Sequence, residues 1–319
     1  MEQMQRKTPW RKILRAYLPN AVFAALEALD DTAPIEEIRL RAGRPIHVCL
    51  SNGERFLHPA GDVLYVTAEM CEETLQRICD HSVYAWTEEL RNGFLTLPGG
   101  FRVGITGRAV YENGMLARFS DVTGLCIRIG RSCIGSAKNC IPYLADADGL
   151  LLSTLIVSAP CAGKTTLLRD LIRSASCGDA GLQPCCVGVV DTRYELAGCV
   201  RGMPQFDLGP RTDVLSGSSK AEGLRLLLMT MSPKLLAVDE LAAEVDFAAA
   251  TEVAACGVRM LASVHSGSAA MLQKRGLLRP LLGSGLFERF VVLSKRCGPG
   301  TVEGIYDAAM RLLFGRKSA

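Results

Sequence analysis

A largely apolar run, Leu151 to Val157 (L-L-S-T-L-I-V), passes directly into S-A-P-C-A-G-K-T-T (Ser158 to Thr166) and then into T-T-L-L-R-D-L-I-R. A run of this length and composition suits a strand buried on both faces of a parallel sheet. The residues after it return to helical spacing. The segment between them approaches G-x-x-x-x-G-K-[ST]: Gly163, Lys164 and Thr165 fit, and Ser158 stands at the first glycine position. A bare A-G-K-T arises often by chance. Placed between a buried strand and a helix, it has the context that a phosphate loop demands. The fold expected is therefore α/β, of the strand-loop-helix nucleotide-binding type.

The loop chemistry rests on backbone. Successive N–H groups must curl inward at the phosphates, and bulky side chains would block that curl. Ser158, Ala159, Pro160, Cys161, Ala162, Gly163, Lys164, Thr165 and Thr166 are the candidate nucleotide-binding residues. The following helix adds its N-terminal dipole. Lys164 would reach the β/γ-phosphates, and the Thr165 hydroxyl would ligate Mg²⁺.

Further apolar runs each end in a polar residue. Cys186 to Val190 is followed by Asp191, Leu235 to Val238 by Asp239, and Met260 to Val264 by His265. In open parallel sheets ligands bind at the C-terminal edge of the strands. Asp239 and Glu240 after L-L-A-V form a Walker-B arrangement, with Asp239 in the Mg²⁺ shell and Glu240 polarising the attacking water. Taken alone, the pair reads more readily as a solvated strand end or a helix cap; the phosphate loop upstream favours the catalytic reading. Asp191 and Glu195 in D-T-R-Y-E, and His265 in S-V-H-S, are further catalytic candidates on the same edge. A lone histidine is more often a surface group; at a strand end beside a γ-phosphate site it can sense phosphate or position water.

The 319 residues suggest two domains. Residues 10 to 29 have helical apolar spacing. I-E-E-I-R-L-R-A-G-R-P-I-H-V-C-L reads as strand, turn, strand. Residues 67 to 92 read as one or two helices, and F-L-T-L-P-G-G-F-R-V-G-I-T-G-R-A-V with L-C-I-R-I-G-R as more strands. The expected division is an α+β domain over 1–140 and a nucleotide-binding domain over 141–319. Thirteen cysteines occur without any C-x-x-C pair, which argues against a zinc site of the usual spacing and for reduced thiols in the cytosol. A net charge of +3, few aromatics and no long Lys/Arg run give no sign of a nucleic-acid channel. The polar, basic N-terminus is unlike a secretory signal, and the longest apolar stretches are too short or too interrupted to span a membrane.

The order of phosphate loop, D-T-R-Y-E, G-P-R-T-D-V-L, K-A-E-G, M-S-P, V-D-E and V-H-S resembles the stage III sporulation AA family of spore-forming bacteria. That family is in turn similar to the hexameric ATPases of type II and type IV secretion and pilus systems. The likeness extends to I-E-E-I-R-L-R-A-G-R-P-I and G-G-F-R-V-G-I-T-G-R near the N-terminus. It implies a RecA-like P-loop ATPase domain with a parallel-rich sheet, preceded by a smaller α+β domain. It implies ATP and Mg²⁺ as cofactors, and a homo-oligomeric, hexameric ring. It further implies membrane-embedded sporulation channel proteins as partners and a cytoplasmic place on the mother-cell side of the membrane. D-T-R-Y-E resembles the acidic box of secretion ATPases and S-V-H-S their histidine box. Arginines complete such sites; Arg102, Arg128, Arg193 and Arg211 are the candidates. The family loop carries glycine where Ser158 stands and often where Cys161 stands, which implies slower hydrolysis here. A nucleotide-gated scaffold with little turnover and a nucleic-acid motor are the alternative functions.

Overall fold

The computed structural model describes residues 10–29, 34–57, 64–80, 93–265 and 285–315. The chain divides into two compact units, one of Met1–Arg131 with Gly198–Gln205, the other of Ser132–Ala197 with Phe206–Ala319. The sequence reading drew the boundary at residue 140. Residues 132–140 belong with the second unit, where the Asp170 carboxylate accepts the N–H groups of Gly135 and Ala137, at 3.0 and 2.7 Å.

The first unit is an antiparallel sheet of six strands covered by helices. Its strands are β1 (Ile35–Arg41), β2 (His47–Leu50), β3 (Gly53–Phe56), β4 (Phe94–Leu97), β5 (Phe101–Glu112) and β6 (Met115–Arg128), in the order β3-β2-β1-β6-β5-β4. The helical stretch expected over 10–29 is broken into α1 (Trp10–Leu14) and α2 (Asn20–Glu27). Pro19, which has no N–H to continue a helix, stands at the start of α2. In α3 (Ala68–Ile78) the Thr67 hydroxyl accepts the Met70 N–H as an N-cap. The continuation expected to residue 92 lies outside the described residues. Leu14, Leu18, Val22 and Leu26 pack with Ile38, Leu40 and Val103 into one core. Each such side chain, fully buried, contributes roughly 1.5–3 kcal/mol.

The second unit is built on eight strands: β7 (Thr154–Ser158), β8 (Val187–Asp191), β9 (Thr212–Ser216), β10 (Leu235–Val238), β11 (Arg259–His265), β12 (Arg289–Ser294), β13 (Thr301–Asp307) and β14 (Leu312–Gly315). Their order is β14-β13-β12-β7-β11-β10-β8-β9. The six from β12 to β9 run parallel, and β13 and β14 add an antiparallel edge. Every residue of β7, β8 and β10 is buried, as continuous apolar runs require in a sheet covered on both faces. Helices α4 (Ile141–Leu144), α5 (Lys164–Cys177), α6 (Lys220–Met231) and α7 (Glu244–Ala255) complete the unit. The parallel registers bring the ends of β7, β8, β10 and β11 to one edge: His265 is opposite Ser158, and Val238 is opposite both Val190 and Ala262. The fold is α/β, as the sequence indicated.

Candidate active site

The loop between β7 and α5 owes its shape to two residues. Gly163 has φ 92° and directly precedes α5. A Cβ there would lie 2.8 Å from the Gly300 nitrogen, because Gly300 N–H donates to the Ala162 carbonyl at 2.9 Å. The turn before β13 is thus tied to the phosphate-loop backbone. Cys161 takes φ 56°, a left-handed angle uncommon for a residue with a side chain. Ser158, by contrast, is the last residue of β7 and fully in register with its neighbours. The position with serine needs no glycine; the one with cysteine would favour it.

The charged groups meet at the mouth of this loop. The Thr165 hydroxyl donates to Asp239 at 3.3 Å. The other Asp239 oxygen accepts from the Ser263 hydroxyl at 2.9 Å and from the Glu240 N–H at 3.0 Å. Ser263 and His265 alternate to the same face of β11, which puts Ser263 behind the aspartate. The Lys164 ammonium donates to His265 Nδ1 at 2.8 Å. A lysine can only donate, so Nδ1 is an acceptor and the ring carries its proton on Nε2. That N–H faces Glu240 Oε2 at 3.3 Å. Lys164, His265 and Glu240 form one chain of polar contacts across the site. Burial pulls the Lys164 pKa below its ordinary value, against the nearby charges of Asp239 and Glu240, which raise it.

One sequence candidate has another position, while the Glu195 charge acts on Lys164. Asp191 was expected as a catalytic carboxylate; it is 1% exposed, and its oxygens accept the N–H groups of Glu195, Leu196 and Ala197 at 2.8, 3.1 and 2.8 Å. Both oxygens are consumed in holding the loop after β8, and burial raises its pKa despite those three donors. The Glu195 carbonyl accepts from Arg169 Nη2 at 2.7 Å, and the Leu196 carbonyl from Arg169 Nε at 2.9 Å. Arg169, on α5, lies 3.7 Å from the Phe206 ring centroid, and burial pulls its pKa down to about 10. Of the four arginine candidates, Arg193 reaches Glu240, at 3.5 Å. Arg211 instead donates to the Ser176 carbonyl at 2.8 Å. Arg128 pairs with Glu37 at 3.0 Å, and Arg102 lies over the Phe94 ring.

Sequence reasoning missed Ser263 and Arg169. The signal for Ser263 was a hydroxyl two residues before the histidine inside an apolar strand. For Arg169 it was a charge on the apolar side of the helix pattern.

Known proteins share this fold. Among solved structures, the Legionella pneumophila ATPase DotB superposes with a TM-score of 0.57 at 17% identity, covering 86% of this chain and 76% of that one. The pilus retraction motor PilT, solved with ADP, gives 0.56 at 15% identity over 93% and 83%. The fold is that of the RecA-like secretion and pilus ATPases. More narrowly, the family described as "Sporulation stage III, protein AA" matches residues 5–313, and the chain belongs to it. The stage III sporulation protein AA of Bacillus subtilis is 40% identical over 292 residues, 91% of this chain and 93% of that protein. An uncharacterised ycf45 protein of Cyanidium caldarium is 29% identical over 170 residues, about half of each chain.

Proposed function

We propose that the chain is a Mg-dependent ATPase that works as a homo-oligomeric, hexameric ring and energises a secretion-like channel between mother cell and forespore. It would act from the cytoplasmic, mother-cell side, against membrane-embedded proteins of that channel. No described helix is long and apolar enough to cross a membrane. The observation that carries the reading is the Thr165 hydroxyl 3.3 Å from Asp239, with Glu240 next in the chain and Lys164 in the same mouth. The residues fit Mg-ATP: Gly163, at φ 92°, makes the turn that starts the helix at Lys164, and Thr165 and Asp239 supply two hard oxygens at one point.

Bound Mg-ATP supplies the phosphoryl group to be transferred and the metal charge that neutralises it. Lys164 would donate to the terminal phosphates with the N–H groups not engaged by His265 Nδ1. Thr165 and Asp239 would hold the metal shell, with Ser263 holding the Asp239 carboxylate in place. Glu240 accepts a proton from water. His265, between Lys164 and Glu240, would orient both groups toward the site. The ring arrangement and the partners rest on similarity to secretion ATPases.

Phosphate release by the wild-type chain and two variants tests this. Lys164→Ala should lose nucleotide binding and turnover together. Glu240→Gln should retain binding and lose turnover by about 10²-fold or more. Steady turnover in the Glu240 variant contradicts the assignment. A second reading, a nucleotide-gated scaffold with little hydrolysis, is favoured by the two partners that hold Glu240, Arg193 and His265. It expects nucleotide binding without phosphate release even in assembled protein.

A further inference from the structure

Far along the sequence from the phosphate loop, the first unit gathers a histidine, a thiol and a carboxylate. His47 and Cys49 project from the same face of β2, two residues apart, and Glu54 on β3 is directly opposite Cys49. Two strands of backbone fix the three positions. Their ligand atoms all lie within 4.8 Å of one another. His47 Nε2 is 3.1 Å from Glu54 Oε2 and 3.8 Å from Cys49 Sγ. Metal–ligand bonds of about 2.0–2.3 Å around a tetrahedral zinc-class ion place its ligands about 3.3–3.6 Å apart. The two observed separations bracket that range. The His47 ring is further held by stacking on Phe56, centroids 4.9 Å apart and planes 27° apart.

The direction of approach decides between two chemistries. In a nucleophilic relay the thiol and the carboxylate would contact opposite ring nitrogens. Here both converge on Nε2, as donors around a shared cation do. Neighbouring charge is compatible. Arg39, across β1 from His47, is engaged by Glu37 through both Nε and Nη2. Arg41 is the group that opposes binding. Its Nη1 lies 3.1 Å from His47 Nδ1. A guanidinium only donates, so this contact keeps Nδ1 an acceptor and the ring proton on Nε2.

We propose that His47, Cys49 and Glu54 bind a divalent cation of the zinc class, with the fourth position open to water and Arg41 acting as a competitor for the histidine tautomer. On binding, the Cys49 thiol proton goes to solvent. The imidazole proton exchanges through solvent from Nε2 to Nδ1. Arg41, an exposed side chain, then leaves Nδ1. Histidine, thiolate and carboxylate together suit a borderline cation and disfavour Mg²⁺ or Ca²⁺.

The test is a cobalt(II) titration of the reduced, chelator-treated full chain, followed by thiolate-to-cobalt charge-transfer absorption, then by displacement with zinc. The expected result is a saturable band that Cys49→Ser removes, although twelve other cysteines remain of the thirteen. Glu54→Gln should weaken cobalt binding at least about 10-fold. Because the Glu54 side chain is 70% exposed, that variant keeps the fold, which an unchanged melting curve confirms. Arg41→Ala should tighten binding. Absence of the band, its persistence in Cys49→Ser, or a Glu54→Gln titration equal to wild type would overturn the proposal.

Discussion

Three non-glycine residues around the candidate active site, Cys161, Tyr194 and Glu240, hold φ angles of 56°, 55° and 31°. A side chain in that region costs roughly 1–2 kcal/mol. Such strain persists where surrounding structure fixes it, often where function needs it. Cys161→Gly should relieve its share. Glycine also gains entropy in the unfolded chain, by about 0.4–1 kcal/mol, so the net stabilisation expected is up to about 1.6 kcal/mol. A raised melting temperature with unchanged Lys164-dependent nucleotide binding is the expected outcome; a lowered one means that the thiol makes compensating contacts. Asp191 is the converse case. Asp191→Ala would leave three buried N–H donors without their acceptor, each costing about 1–3 kcal/mol. The melting temperature should fall even without nucleotide. A catalytic carboxylate would lose turnover and keep its stability, so melting and activity together separate the two roles.

Elements were legible in the sequence where one signal dominated. The buried strands β7, β8 and β10 and the helix α5 follow from apolar continuity and helical period, and their shared edge follows from parallel topology. The six-stranded antiparallel sheet was only partly legible. β3 has four exposed residues and no apolar alternation to announce it. The C-terminal strands β12 to β14 were not foreseen, nor was the contact of their turn with the loop through Gly300, since long-range pairing leaves no local pattern. The site's charged residues could be named from strand ends. Their division of labour could not, because Asp191 and Asp239 end their strands alike and only the following backbone separates them. The Glu37 network on β1 yields an electrostatic prediction. Burial raises the Glu37 pKa, but hydrogen bonds and charge from Arg39 and Arg128 outweigh it and hold the group below its ordinary 4.5. A depressed carboxylate contributes stability that is complete above the unfolded value and lost as pH falls through the folded one. Glu37→Gln should therefore flatten the acid limb of a stability-versus-pH curve, while stability at neutral pH falls. An acid limb identical to wild type contradicts the three-residue network.

At the scale of the whole molecule, assembly into a ring and nucleotide binding leave different signatures. A ligand that binds only the folded state stabilises it by about 2.7 kcal/mol at a hundredfold excess over Kd. Nucleotide binding therefore registers as a melting shift whether or not chains associate. Association registers only as mass. Glu240→Gln keeps the groups that would hold nucleotide, Lys164, Thr165 and Asp239, and lacks the carboxylate that would activate water. With Mg-ATP it should dwell in the bound state, showing both the melting shift and, by light scattering, a mass several times that of the 319-residue chain. Lys164→Ala should show neither. A melting shift without a change in mass, at protein concentrations well above those of the phosphate-release measurement, would remove the ring and leave a monomeric nucleotide-binding protein. A change in mass without dependence on nucleotide would make the oligomer a constitutive scaffold, and Lys164 would then matter for turnover alone.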